Sequence, residues 1–111
     1  MTRSADLEAV RREGKRFRTA TLEVRYIASL SLQSRLGVIV PRHKRSAVDR
    51  NRVKRRLRDL LRTRVAPALV SRASLDVVVR AFPEAYAMDH AALAVEVERI
   101  VRRLVEASTP P

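Results

Sequence analysis

Apolar residues change their spacing along this chain, and each change predicts an element. Leu7 and Val10, three apart, predict a short helix over Asp6 to Glu13 that stops at Gly14, since glycine suits a helix C-terminus. Arg16 to Thr19 begins a strand. In "TLEVRYIASL", Leu22, Val24 and Tyr26 alternate with Glu23 and Arg25, the period of a half-buried strand. "SLQS" turns the chain, and "RLGVIVP" is a second apolar run that Pro41 ends. These two runs are expected to pair as a hairpin.

The next stretch changes to helical spacing. Ser46 is placed to cap a helix, with Asp49 reaching back in a variant of the capping box and complementing the positive end of the dipole. At 100° per residue Val53, Leu57, Leu60 and Leu61 share one stripe. Asn51, Arg55, Arg58 and Arg62 share the opposite side, bordered by Lys54. Pro67 limits the helix to about Val65. "SLDVVVRAF" predicts a third strand, its successive valines pointing to burial on both faces, and Pro83 closes it. Asp89 caps a last helix in which Leu93, Val97, Ile100 and Leu104 form the apolar stripe. Residues 106–111 are expected as a loose tail. The 111 residues thus predict a single compact α+β domain over 1–111, in the order helix, strands, basic helix, strand, helix.

Charge narrows the function. The net charge is +12, and Arg42 to Arg64 alone holds eleven Lys and Arg against Asp49 and Asp59, a net of +9. Such a local potential suits phosphate, although an anionic membrane surface also attracts it. There is no cysteine, which excludes a disulfide framework and a thiolate metal site. The first residues, "MTRSADLEAVRREG", lack the apolar stretch of a signal peptide, and no run approaches the roughly 18 apolar residues of a spanning helix. A soluble, cytoplasmic protein is expected.

The exposed side of the basic helix carries the chemistry. Like charges four apart repel and weaken a helix, and interleaved glutamates would have stabilised it, so the unpaired arginines imply a polyanionic ligand. Guanidinium forks match phosphate bidentately, and the Asn51 amide suits a base or a 2′-hydroxyl. Elsewhere the candidates are weak. His43 and His90 lack a zinc-ligand set, although His43 in its basic loop suits phosphate. No Ser, His, Asp arrangement is suggested by position, and the two glycines make no nucleotide-binding loop. Glu96, Glu98 and Glu106 are expected to pair within their helix with Arg99, Arg102 and Arg103. Phe17 either stacks a base or faces the core, Tyr26 is expected in the core, and Phe82 and Tyr86 are expected to cover the sheet edge. No catalytic residue and no tightly bound cofactor or metal is expected in the chain.

The run Leu36 to Val40, the loop Arg42 to Arg45, Ala47 and Val48, then Arg50, Asn51, Arg52, Val53, Lys54, Arg55 and Arg58, resembles the signature of the protein subunit of bacterial ribonuclease P. Asp6 to Gly14 is similar to that family's first helix, and "DVVVRAFP" to its Asp-led strand, so the resemblance covers most of the chain. It implies a mixed sheet with a left-handed crossover through the basic helix. The function it implies is to assist a catalytic RNA, which uses Mg²⁺, in removing the 5′ leader of precursor tRNA. Arg50, Asn51, Arg52, Lys54, Arg55, Arg58 and Arg62 would then bind that RNA, beside the loop Arg42, His43, Lys44 and Arg45. Leu7, Arg11, Phe17, Arg25 and Lys54 would line a cleft for the leader.

Departures from the family pattern lie mostly around that cleft. Leu7 and Arg11 stand where phenylalanines are common and Arg25 where a tyrosine is, which shifts leader contact from stacking toward charge. Arg45 replaces a glycine, and Asp49 an apolar residue. The competing reading is a general RNA-binding or ribosome-associated protein with no role in cleavage. DNA binding fits less well, because neither a heptad segment nor a helix-turn-helix partner accompanies the helix. A self-sufficient nuclease would need a carboxylate cluster for metal.

Overall fold

The computed structural model describes residue 10 and residues 12–29, 33–70 and 72–108. Four strands, β1 (Lys15–Arg18), β2 (Leu22–Ala28), β3 (Arg35–Ile39) and β4 (Leu75–Ala81), form one sheet in the order β1-β2-β4-β3. The basic helix α1 (Ala47–Leu60) runs on through a π-helical turn (Leu61–Val65) and a last helical turn (Ala66–Ala68). After β4, a 3-10 turn (Pro83–Ala87) leads into α2 (His90–Ala107). Among the described residues no helix is long and apolar enough to cross a membrane.

The expected hairpin of β2 and β3 does not form, because β4 lies between them. It pairs antiparallel with β2, Val24 opposite Val79, and parallel with β3, Val38 opposite Val79. The run Leu75 to Val79 is buried at every position, and a strand apolar on both faces is stable only in the interior of a sheet. A parallel pair also needs a long crossover, usually a helix, and α1 supplies it. The basic helix is thereby attached to the β3 edge of the sheet.

One face of the sheet carries the core. Leu22, Val24, Val77, Val79 and Ala81 pack against Val53, Leu57 and Leu60 of α1 with Leu61 of the π turn, and against Leu93, Val97, Ile100 and Leu104 of α2. Val10 and Val78 are buried outside that cluster. Both caps form as expected: Ser46 Oγ accepts from the Asp49 N–H at 3.1 Å, and Asp89 Oδ1 accepts from the Ala92 N–H at 2.8 Å. Asp49 makes no return bond among the described residues.

Three local expectations change. The basic helix passes Val65 and includes Pro67. Val53, Leu57, Leu61, Val65 and Leu69 are all buried at a constant spacing of four, which in an α-helix drifts by about 40° per step. The π turn, with the Ala66 N–H on the Leu61 carbonyl, takes back that drift and disrupts the bonding register that a proline ring obstructs. The tail starts later than 106: Glu106 and Ala107 complete α2, and buried Ser108 donates its N–H to the Leu104 carbonyl at 2.9 Å. Gly14 does follow helical residues, but its φ is not positive. A Cβ there would lie 2.5 Å from the Val10 carbonyl oxygen and 2.9 Å from that of Tyr26, so close backbone approach demands glycine. Most of the expected first helix lies outside the described residues.

Candidate nucleic-acid interface

Burial of the α1 stripe turns Asn51, Arg52, Arg55, Arg58 and Arg62 outward, all exposed. Among the described residues Asn51, Arg52, Arg55 and Arg58 form no ion pair and no side-chain hydrogen bond, while Arg62 meets Asp59 at 2.8 Å. Arg50 is set apart: its Nε donates to the Val40 carbonyl at 2.7 Å, which ties the first turn of α1 to the end of β3. Lys54 lies between Arg50 and Arg58. Its partial burial, then those two charges, hold its ammonium pKa below the ordinary lysine value. Arg56, unassigned from sequence, donates to the Met88 carbonyl at 3.0 Å and fastens α1 to the segment before α2.

The basic loop is a tight turn with the Arg45 N–H on the Arg42 carbonyl at 2.7 Å. Its central residues, His43 at φ 48° and Lys44 at φ 65°, occupy the left-handed region that disfavours side chains. Tyr86 supports this turn instead of merely covering an edge. Its hydroxyl donates to the Pro41 carbonyl at 2.7 Å, the Arg45 guanidinium lies 5.3 Å over its ring, and His43 meets it edge-on at 6.2 Å. Nothing local in the sequence marks Tyr86 for this, because the partners are more than 40 residues apart.

The sheet face opposite the core carries a groove of about 140 Å³ around Arg25, walled by Glu23, Ile39, Val78 and Arg80. Arg25 donates to Glu23 at 2.9 Å, and Arg35 grips Asp76 through two bonds of 2.8 and 2.6 Å. Phe17 is not on this face. It pairs with Val24 and so shares the core side, whereas Arg25 pairs with Arg16 and points away. Lys54 is not part of the groove wall either. Leu7 and Arg11 lie outside the described residues. No three of His, Cys, Asp or Glu come together as a metal site among the described residues. What the exposed α1 face and the strained loop offer is a rigid array of cations spaced along about 1.5 Å per residue.

The family model described as Ribonuclease P matches residues 1–105. This chain belongs to the ribonuclease P protein family. The ribonuclease P protein component of Acidothermus cellulolyticus is 37% identical over 109 residues, covering 96% of this chain and 88% of the relative. That of a Nocardioides species is 42% identical over 100 residues, covering 87% and 82%. The fold matches the ribonuclease P protein of Staphylococcus aureus with a TM-score of 0.80 at 20% identity over 94% of this chain and 93% of that one. It matches the Thermotoga maritima protein, solved with 1-(4-fluorophenyl)-2-thiourea, with a TM-score of 0.79 at 23% identity over 93% and 97%. The chain is thus a protein subunit of the RNA-based ribonuclease P holoenzyme, which implies a role in tRNA 5′ maturation and association with the ribonuclease P RNA and precursor tRNA.

Proposed function

We propose that this subunit binds the catalytic RNA of ribonuclease P through Arg50, Asn51, Arg52, Lys54, Arg55, Arg58 and Arg62, with Arg42, His43, Lys44 and Arg45 extending the contact. The observation that carries this reading is the α1 face on which Asn51, Arg55 and Arg58 stand exposed with no partner among the described residues, opposite a fully buried apolar stripe. A 5′ leader is single-stranded, and the groove around Arg25 and Arg80 suits its phosphates better than its bases. Phe17, on the other face, is left out of that contact. Relief of repulsion between two RNAs is the protein's contribution, while Mg²⁺ held by the RNA subunit performs the hydrolysis. The work is done in the cytoplasm on precursor tRNA.

The test is 5′-leader cleavage of a precursor tRNA by a bacterial ribonuclease P RNA at low Mg²⁺, with and without the protein, and by the protein alone. Stimulation that requires the RNA is expected, and Arg55→Glu/Arg58→Glu should weaken it sharply. Tight RNA binding without stimulation would favour a general RNA-binding protein instead. Unchanged activity of the double variant would remove α1 from the interface.

A further inference from the structure

Two of the three acidic residues expected to neutralise α2 are engaged elsewhere, and the third, Glu106, forms no ion pair among the described residues. Glu96 is buried against the turn between β1 and β2, and Glu98 pairs with Arg64 at 2.9 Å. Intrahelical pairing therefore fails. Arg99, Arg102 and Arg103 are exposed on α2 at i, i+3 and i+4, and among the described residues none of them forms an ion pair. With Arg18 and Phe17 of β1 and with Glu106 they line an open groove of about 330 Å³, whose four arginines and one glutamate leave a charge of +3.

Two of these arginines are held by aromatic rings. The Arg103 guanidinium lies 4.8 Å from the centre of the Phe17 ring, and that of Arg18 lies 4.7 Å from the centre of Phe82. A stacked guanidinium uses its face on the ring and keeps its in-plane N–H donors for an anion. Less side-chain freedom is then lost on binding. α2 itself packs on the basic helix, and Glu98 meets Arg64 there, but the β1 side of the groove is remote from the first turns of α1. β1 is one edge of the sheet and β3, which leads into α1, is the other, three strand spacings or about 14 Å away. That exceeds the screening length of about 8 Å at physiological salt, so an RNA segment lying on the first turns of α1 leaves the charge at the β1 side of the groove largely uncompensated.

We propose that Arg18, Arg99, Arg102 and Arg103 form a second RNA-contact surface, which takes the phosphate backbone of a segment other than the one held by α1. The proposal rests on the ribonuclease P reading, which supplies the RNA. Contact is with phosphate and independent of base sequence, because Arg103 already stacks on Phe17 and Tyr26 meets that ring edge-on at 6.0 Å.

The test uses the full chain carrying Arg99→Ala/Arg102→Ala, two exposed positions that touch no ring, and measures its affinity for a bacterial ribonuclease P RNA as a function of salt. Losing two phosphate contacts lowers the slope of log K against log salt by about 1.4, or about 25-fold in affinity at 0.1 M and little near 1 M. Arg55→Ala/Arg58→Ala is the comparison. If it loses affinity while Arg99→Ala/Arg102→Ala keeps the parent's slope, the second surface is overturned and the ribonuclease P reading stands. If the unaltered chain does not bind the RNA, both fall together. Because the chain has no cysteine, photocrosslinkers on Arg55→Cys and on Arg102→Cys can map the two surfaces in the assembled holoenzyme. Crosslinks to separate RNA segments are expected, and crosslinks from both positions to one segment would overturn the two-segment arrangement.

Discussion

Replacing Glu96 by alanine tests how the β1–β2 turn is held on α2. Glu96 is 3% exposed, its Oε1 accepts from Thr19 Oγ1 and from the Thr21 N–H at 2.8 Å, and its Oε2 accepts from Thr21 Oγ1 at 2.6 Å. Thr21 is itself 5% exposed, so its N–H has no water to turn to once the carboxylate is gone. Hydrogen bonds to a charged acceptor contribute about 1.5–3 kcal/mol each, and an orphaned buried donor costs about 1–3 kcal/mol. Against these stands the desolvation of the carboxylate, several kcal/mol, which alanine recovers. The net expectation is a loss of about 3 kcal/mol. Glutamine behaves differently, because its carbonyl still accepts from the Thr21 N–H and its NH₂ donates to a Thr21 hydroxyl that rotates to accept. It should cost about 1 kcal/mol. Total stabilities of such domains are on the order of 5–15 kcal/mol, so alanine should lower the melting temperature by roughly 13 °C. Urea unfolding followed by far-UV circular dichroism measures both variants. Equal midpoints for Glu96→Ala and Glu96→Gln, or an alanine variant within about 0.5 kcal/mol of the parent, would show that these bonds do not hold the turn.

Three further outcomes are expected. The two Arg35 bonds, opposed by partial burial and assisted by Ser29, hold the Asp76 carboxyl below its usual pKa. The stability this pair adds is present above the unfolded value of about 3.9 and is lost as pH falls through the lower folded value. Asp76→Asn should therefore be less stable than the parent at pH 7, with urea midpoints converging below about pH 4; coincident midpoints at pH 7 would contradict this. Because the Lys54 pKa is lowered, Lys54 loses its charge earlier than an ordinary lysine as pH rises, and RNA affinity should fall through that lowered value. Lys54→Arg should hold its affinity to higher pH in the same titration, and identical pH profiles would argue against a phosphate contact there. Lys44→Gly should relieve the left-handed strain at φ 65° and raise stability by roughly 0.5–1 kcal/mol while removing one cation from the proposed RNA contact. A lower melting temperature would refute the strain account.

Much of the geometry of the candidate interface was legible because it depends on local periodicity. The opposition of Val53, Leu57, Leu60 and Leu61 to Asn51, Arg55, Arg58 and Arg62 follows from 100° per residue, and both caps follow from side chains within three residues of their targets. The π turn left a trace as well, in the constant spacing of four from Val53 to Leu69. The roles of Tyr86 and Glu96 left none, since the Pro41 carbonyl and the Thr19–Thr21 turn meet them only after the sheet and α2 pack.

Sequence alone therefore determined the strands, the basic and last helices with their buried and exposed faces, the concentration of positive charge and the family signature, all of which are short-range properties. Tertiary structure decided which strands pair and which groups share a face. Strand alternation shows that Phe17 and Arg25 each point to one side, but only the register of β1 on β2 puts them on opposite sides. The order β1-β2-β4-β3 arises because burying both faces of β4 favours an interior position over a local β2–β3 hairpin. That competition compares contacts far apart along the chain, and no local pattern of residues encodes its outcome.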